Sequence, residues 1–92
     1  IGIITPLHRC NEDNMRGDGN KAQDVATLKT YVEIIREVAE YYSLPVLDLF
    51  KDSGLQPKIP VIQEMYMPDG LHPNDAGHVK VANCLLRTLA RL

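Results

Sequence analysis

Apolar positions along the chain form two short runs with a one-sided stripe between them. Ile1 to Thr5 is rich in β-branched residues and is closed by Pro6, and Pro45 to Phe50 is a second run of similar length. Each run predicts a strand buried on both faces of a parallel sheet. Between them, a period of 3.6 that starts at Asp24 predicts a helix of about five turns. Strand, helix and strand in this order predict a βαβ unit with parallel strands and a right-handed crossover.

Two further segments of the chain are predicted to be loops, and the C-terminal segment is predicted to be a helix. Residues 7–20 are polar, have no apolar period and predict a loop at one end of the sheet. Residues 51–67, with Gly54, Pro57 and Pro60, predict an irregular connection that forms a lid or wall over a site. Beyond them, Asn74 is a good N-cap for a final helix of roughly five turns, and Gly77 on its first turn indicates close packing.

The two helices are recognised by their apolar stripes and caps. Asn20 or Asp24 can cap the first helix, and Ser43 to Pro45 ends it. The stripe of the first helix consists of Val25, Leu28, Val32, Ile35, Val38 or Ala39, and Tyr42. The stripe of the final helix consists of Val79, Ala82, Leu85, Leu86, Leu89 and Leu92.

Composition and charge narrow the class of protein. The chain has 92 residues, of which 45% are hydrophobic and 24% charged, as in an ordinary globular domain or part of one. A formal charge of -2 offers no basic field and argues against nucleic acid as a partner. No apolar run approaches the roughly 20 residues of a membrane span, and no stretch is typical of a signal peptide. Cys10 and Cys84 have no CxxC spacing and are predicted to be free thiols.

The first predicted strand has no earlier neighbour to pair with. Because the chain starts at Ile1 inside a strand-like run, we expect an upstream part of the same domain. An unpaired apolar strand recruits another chain. We therefore expect residues 1–92 either to self-associate through this strand or to be held by a missing N-terminal half.

The richest chemistry lies in the stretch from Pro68 to His78. Asp69 and His72 are three residues apart, and Gly70 between them permits a tight turn that brings the carboxylate beside the imidazole. A carboxylate on one ring nitrogen fixes the tautomer and leaves the other nitrogen free to take a proton from a hydroxyl nucleophile. The pair is therefore a candidate general base with its orienting group.

Other interpretations of these residues stay open. An Asp-x-x-His pair is also compatible with a structural turn at a helix start, in an α/β domain that binds a ligand or partner without catalysis. A metal site built from Asp69, His72, His78 and His8 is a rival, disfavoured because His72 and His78 share no simple helical face. Asp48, within the second predicted strand, is expected to be a buried carboxylate bound by backbone donors rather than a catalytic group.

The motifs of the chain, taken in order, resemble the C-terminal part of an SGNH, or GDSL-type, serine hydrolase. The resemblance spans nearly the whole chain, and its most specific part is the block from Asp69 to Asn74. The residues that carry it are Ile3-Ile4-Thr5-Pro6, Val38-Ala39-Glu40, Val46-Leu47-Asp48-Leu49, Asp69-Gly70-Leu71-His72-Pro73-Asn74, Gly77-His78 and Val81-Ala82.

The resemblance implies a flavodoxin-like, three-layer α/β/α fold with a parallel sheet. Residues 1–92 would be a single segment that supplies the last two strands and their helices, while the nucleophile-bearing N-terminal part is absent. The resemblance further implies ester hydrolysis by a Ser-His-Asp triad through a covalent acyl-enzyme, with no cofactor and no metal. The expected substrate is an ester-bearing small molecule or an acylated carbohydrate.

The same resemblance assigns roles to single residues. Asp69 orients His72, which acts as general base and then as general acid. His8, Arg9 and Tyr66 are candidate substrate-binding residues. The nucleophile is expected to lie outside this chain, because Asp52-Ser53-Gly54 follows the wrong strand without a preceding Gly, and Ser43 ends a helix. The segment alone is therefore expected to be inactive.

Overall fold

Two short parallel strands form a sheet in a computed structural model that describes residues 1–13 and 26–92. Strand β1 (Ile3–Ile4) pairs in parallel with β2 (Val46–Leu47). Thr5 N–H extends the ladder by donating to the Leu47 carbonyl at 3.0 Å. The mixed α/β class and the parallel pairing are confirmed. Ile4 is 62% exposed in these residues, so burial of β1 on both faces stays a prediction for a larger domain.

Helix α1 (Leu28–Tyr41) connects the two strands. It begins after Thr27, whose side chain accepts from Thr30 N–H, and the predicted caps Asn20 and Asp24, like Val25, lie outside the described residues. Its 14 residues make about four turns. Of the predicted stripe, Tyr42 is 65% exposed and is not part of the core. The fully buried residues of α1 are Leu28, Val32 and Ala39.

The second apolar run does not continue as a strand beyond Leu47. Asp48 accepts from Lys51 N–H and caps a short helix, α2 (Leu49–Asp52), so the predicted strand to Phe50 is wrong in its second half. The carboxylate satisfies backbone donors that a helix start leaves unpaired, and this turns the chain out of the sheet. Leu49 remains buried, which is why the run is apolar although only part of it is strand.

The irregular connection predicted for residues 51–67 contains a helix. Helix α3 (Pro60–Tyr66) starts with Pro60 in its first turn, where a missing N–H costs nothing. Its seven residues are too few for a clear helical period, and none of them is fully buried. The prediction of a wholly irregular loop is therefore wrong, although Met67, the residue after α3, is completely buried.

Helix α4 (Asp75–Ala90) closes the described chain and packs against β2, α2 and α3. Its N-cap is Asn74, as predicted, but the side that it buries is not the predicted stripe. Gly77 and Cys84 are buried, and Cys84 joins Leu47 and Leu49 in one core cluster. The predicted stripe is mostly exposed: Val79 is 59%, Leu85 41%, Leu86 62%, Leu89 54% and Leu92 77% accessible.

Candidate active site

Asp69 and His72 face each other across one tight turn. Asp69 Oδ2 lies 2.6 Å from His72 Nδ1, while Oδ1 accepts from the backbone N–H groups of Leu71 at 2.8 Å and His72 at 2.7 Å. Gly70 occupies the left-handed region with φ of 75° and completes the turn. The predicted contact between carboxylate and imidazole is thus confirmed as geometry.

The electrostatics of this turn favour an ionised Asp69. The hydrogen bond with the His72 side chain, followed by those from the His72 and Leu71 backbone, holds the pKa of Asp69 well below its ordinary value. An ionised carboxylate only accepts, so Nδ1 of His72 carries a hydrogen and Nε2 is the nitrogen left for chemistry. The His72 side chain is 76% exposed, so this nitrogen is accessible to a reacting group.

The residues after the turn fix it to helices α3 and α4. Asn74 Oδ1 accepts from Gly77 N–H at 2.9 Å, and its amide nitrogen donates to the Met65 carbonyl at 2.9 Å. A Cβ on Gly77 would lie 2.7 Å from the Pro73 Cβ and 2.8 Å from the Tyr66 carbonyl oxygen. The predicted close packing at Gly77 is confirmed, and it holds the start of α4 against the end of α3.

The loop that follows β1 is tied to the same turn. Cys10 N–H donates to the Gly70 carbonyl at 2.9 Å, and a Cβ on Gly70 would lie 2.7 Å from Cys10 Sγ. Beside this junction is a pocket of about 310 Å³ whose walls include His8, Arg9 and Leu71, the neighbour of His72. The other lining residues are Pro6, Leu7 and Leu28.

The three predicted substrate-binding residues do not lie together. His8 and Arg9 line the pocket beside Leu71, whereas the Tyr66 ring packs below Lys80 Nζ at 5.0 Å from the ring centroid. Tyr66 also accepts Asn74 N–H with its carbonyl, a structural contact of the backbone. The structure therefore groups two of the three residues at one pocket.

The family model described as the GDSL-like lipase/acylhydrolase family matches residues 3–80. The chain belongs to this family. A solved crystal structure is similar to this GDSL-like chain at 31% sequence identity with a TM-score of 0.78. The alignment covers 98% of this chain and 42% of that one, so the GDSL-like chain spans less than half the length of that relative. A comparison with curated proteins gives no match.

Neither serine weighed as a nucleophile of the GDSL-like chain contacts the histidine of the turn. Ser53 is buried at the end of α2 and its Oγ accepts from Leu55 N–H at 3.2 Å. Ser43 is exposed after α1 with φ of 56°. Both serines lie at helix ends, and neither is placed to be activated by His72.

Asp48 of the GDSL-like chain is held as a structural acid. Arg36 binds it with two nitrogens, at 2.9 and 3.2 Å, and Thr5 donates its hydroxyl hydrogen at 3.2 Å. Burial alone would raise the pKa of Asp48, but the hydrogen bonds from Arg36 and from Lys51 N–H outweigh burial and lower it. The expectation of a bound, non-catalytic carboxylate agrees with this geometry, but the main donor is a side chain rather than the backbone alone.

Glu12 is the polar residue of this region that sequence reasoning missed. It is 4% exposed, and its carboxylate lies 2.7 and 2.8 Å from His8 Nδ1 and accepts Arg9 N–H at 3.0 Å. The spacing of four residues between His8 and Glu12 was the available signal. The signal is weak because the surrounding segment has no apolar period and predicts an ordinary loop.

The part of the GDSL-like chain that the structure describes contains neither a candidate metal site nor a candidate membrane-spanning helix. Within residues 1–13 and 26–92, no group of three or more His, Cys, Asp or Glu side chains could hold a metal ion. None of the helices described here is long and apolar enough to cross a membrane. Cys10 and Cys84 are both free thiols.

Proposed function

We propose that this chain supplies the acid and base of an ester hydrolase that works through a Ser-His-Asp triad and a covalent acyl-enzyme. The observation that carries the proposal is the 2.6 Å contact between Asp69 Oδ2 and His72 Nδ1 in an accessible turn. Membership of the GDSL-like lipase/acylhydrolase family supports the reaction class. The nucleophilic serine is proposed to lie outside residues 1–92.

The reaction is proposed to follow the usual two-step acyl transfer. His72 Nε2 takes the serine proton as the serine oxygen bonds to the acyl carbon, and then gives that proton to the departing alkoxide. Water next attacks the acyl-enzyme and loses a proton to the same nitrogen, which returns it to the serine as the acid leaves. Asp69 stays ionised throughout and stabilises the imidazolium that forms in each step.

The isolated segment is proposed to be inactive. Acyl transfer needs donors for the developing oxyanion, and each such donor typically contributes about 10²- to 10³-fold to the rate. We place both the serine and these donors in the segment that the longer relative contains beyond the aligned 42% of its length. The turn at Asp69 and His72 would then be one half of a site.

That missing segment is proposed to complete a flavodoxin-like, three-layer domain by packing on β1 and α4. A groove of about 180 Å³ lies where β1 and β2 meet α4, and it is walled by apolar residues. Ile4 on β1 and Leu85 and Leu89 on α4 remain 62%, 41% and 54% exposed beside it. Two strands alone make a sheet of marginal stability, and burial of such side chains is the main force for association.

A flank of α1 offers a second apolar surface to the proposed remainder of the domain. Tyr31, Ile34, Val38 and Tyr41 follow helical spacing and are 39%, 51%, 47% and 82% exposed. The opposite flank carries charged residues such as Lys29 and Glu33. This asymmetry supports another helix packed beside α1 in the complete domain, as a three-layer fold requires.

The pocket beside Leu71 is proposed to bind the substrate. Its volume of about 310 Å³ is at the lower end of the range for small-molecule sites, and its walls combine apolar side chains with His8 and Arg9. An ester-bearing small molecule or one unit of an acylated carbohydrate suits these dimensions. Tyr66 is not among the residues that line this pocket, and its role in substrate binding stays a prediction.

A serine-reactive fluorophosphonate tests the triad in the complete protein that contains residues 1–92. We expect the probe to label the wild type, to label the His72→Ala variant far more slowly, and to label the His78→Ala control at the wild-type rate. His78 is an exposed histidine on the first turn of α4 and is the matched control. A wild-type protein that resists the probe would contradict the hydrolase and favour a non-catalytic α/β binding domain.

Sedimentation of residues 1–92, alone and with the remaining segment, tests the proposed interface. We expect self-association at tens of micromolar, replaced by a one-to-one complex when the segment is added. Ile4→Asp should weaken both, whereas Val61→Asp on α3, a position of similar 55% exposure, should not. A clean monomer that does not bind the segment would refute the interface.

A further inference from the structure

A second carboxylate-histidine pair lies beside the proposed substrate pocket, outside the turn of Asp69 and His72. His8 Nδ1 contacts both oxygens of the Glu12 carboxylate, and the two side chains are 19% and 5% exposed. The imidazole also stacks on Phe50 with 3.6 Å between the ring centroids. The ring is thus held at its edge by a charge and on one face by an aromatic side chain.

The Glu12 carboxylate has donors other than His8. Arg9 N–H donates to Oε1 at 3.0 Å, and Lys58 Nζ lies 3.8 Å from Oε2. A buried carboxylate is stable only when such donors replace water. An ionised carboxylate cannot donate, so the hydrogen between Glu12 and His8 belongs to Nδ1 of the imidazole.

Gln56 offers a competing arrangement around the same ring nitrogen. Its Nε2 lies 3.0 Å from His8 Nδ1, and its oxygen accepts Lys58 N–H at 3.1 Å, which fixes the orientation of the amide. If the amide donated to Nδ1, the hydrogen of the neutral ring would be on Nε2. The two carboxylate oxygens at 2.7 and 2.8 Å are closer and charged, so the hydrogen on Nδ1 is favoured.

Nε2 is the ring nitrogen of His8 that Glu12 does not engage. His8 lines the pocket together with Leu71, the residue before His72. The loop that carries His8 is anchored to the catalytic turn by the hydrogen bond from Cys10 N–H to the Gly70 carbonyl. A ligand in this pocket would therefore contact His8, and its ester group would extend past Leu71 toward His72.

We propose that Glu12 is a positioning residue that presents His8 Nε2 as a hydrogen-bond acceptor for a free hydroxyl group on the ester substrate. The substrate class is then a partially acylated polyol or carbohydrate, in which a hydroxyl neighbours the acylated oxygen. This inference rests on the proposed hydrolase function. Glu12 acts only through His8 and touches neither the substrate nor the reacting atoms.

Two acetate esters of nearly equal size test this specificity in the complete protein. Hydroxyethyl acetate carries the hydroxyl, and propyl acetate has a methyl group in its place. Loss of one hydrogen bond between neutral groups is typically a change of about three- to ten-fold. We expect the ratio of kcat/KM for the two esters to fall by that factor in His8→Ala, chiefly through KM of hydroxyethyl acetate, and by less in Glu12→Gln.

The double variant separates positioning from general stabilisation. If Glu12 acts through His8, adding Glu12→Gln to His8→Ala leaves the ratio unchanged. Asp13→Asn is the matched control, because Asp13 carries a charge in the same loop and contacts Lys58 at 2.7 Å. That control should keep the wild-type ratio. A ratio unmoved by His8→Ala, or an equal effect of Glu12→Gln with and without His8, would overturn the proposal.

A nitrogen-15 NMR spectrum of the histidine rings gives a measurement that does not depend on turnover or on a variant that folds. We expect the hydrogen of His8 on Nδ1, whereas a hydrogen on Nε2 would overturn the acceptor role. A wild-type protein that hydrolyses neither ester and resists the fluorophosphonate would overturn the hydrolase function, and this inference with it. Turnover of both esters at a ratio indifferent to His8 would overturn this inference alone.

Discussion

The two carboxylate-histidine pairs of this chain share their local chemistry and differ in their surroundings. In both, a carboxylate approaches Nδ1, at 2.6 Å for Asp69 and His72 and at 2.7 Å for Glu12 and His8. The first pair is 46% and 76% exposed, and the second is 5% and 19% exposed. The short contact therefore does not by itself mark a catalytic group.

The surroundings of each pair fit the role proposed for it. The first sits in a turn of its own backbone and needs no distant residue to form, so an accessible nitrogen is left for a group brought by another segment. The second needs Phe50 and Lys58 from elsewhere in the chain to hold a buried charge. An exposed pair on a local turn suits proton transfer, and an enclosed pair suits recognition of a fixed group.

The largest expected difference between the pairs is in turnover. In the complete protein, Asp69→Asn should lower kcat by about 10²- to 10⁴-fold, because an amide can no longer fix the His72 tautomer or stabilise the imidazolium. Glu12→Gln should change kcat by less than about threefold, since that pair only positions a binding group. Steady-state kinetics on an acetate ester measures both. A larger kcat loss in Glu12→Gln than in Asp69→Asn would reverse the two assignments.

The third bound carboxylate, Asp48, is a structural acid, so its substitution should change the stability of the fold rather than the reaction. Asp48→Asn should lower the free energy of unfolding by about 1.5 to 3 kcal/mol at pH 7, because the hydrogen bonds from Arg36 lose their charge. The pKa of Asp48 is lowered by folding, so this stability is present above the ordinary value of 3.8 and lost as pH falls through the lower folded value. Urea unfolding at pH 7 and below pH 4 measures it.

The control for Asp48 is the exposed Glu37 on α1. Glu37→Gln should change stability by less than about 0.5 kcal/mol at either pH, as surface substitutions usually do. A deficit in Asp48→Asn that persisted at the lowest pH would mean that the cost comes from lost packing rather than from the charge.

The hydrogen bond from Cys10 N–H to the Gly70 carbonyl connects the loop of the second pair to the turn of the first pair. A substitution at Gly70 should weaken this connection. Gly70→Ala places a Cβ 2.7 Å from Cys10 Sγ at a φ of 75°, and the two effects together should cost about 1 to 3 kcal/mol of stability. Adding Cys10→Ala removes the sulfur and should restore part of that cost, while the strain of the positive φ remains. Thermal or urea unfolding of the two variants measures the rescue, and no rescue would show that the sulfur does not limit the turn.

The smallest expected effect is the absence of a titration at Asp69. Its pKa is held well below the ordinary value by His72, so the carboxylate and its contacts should persist above the ordinary value of 3.8 and fail only when pH falls through the lower folded value. Carbon-13 NMR of the Asp69 carboxyl should show no titration between about pH 5 and about pH 3, the interval that contains the ordinary midpoint of 3.8. A midpoint within that interval would show that the contact with His72 is weaker than the structure indicates.

Features that depend on neighbouring residues could be predicted from the sequence. The turn from Asp69 to His72 needs only three residues and a glycine, and the cap at Asn74 needs only the first turn of the following helix. The parallel arrangement of β1 and β2 follows from the helix that connects them. Such short-range patterns are set by backbone sterics and local hydrogen bonds, which the sequence states directly.

Tertiary structure alone decided the features that depend on distant partners. Asp48 leaves the predicted strand because Arg36 and Thr5 hold its carboxylate at the start of α2. The side of α4 that is buried within residues 1–92 is decided by its contacts with β2 and α3, and the apolar stripe that its sequence displays is exposed in these residues. The spacing of four residues allows Glu12 to contact His8, but the burial of this pair could be found only through the fold, because distant residues exclude water around it.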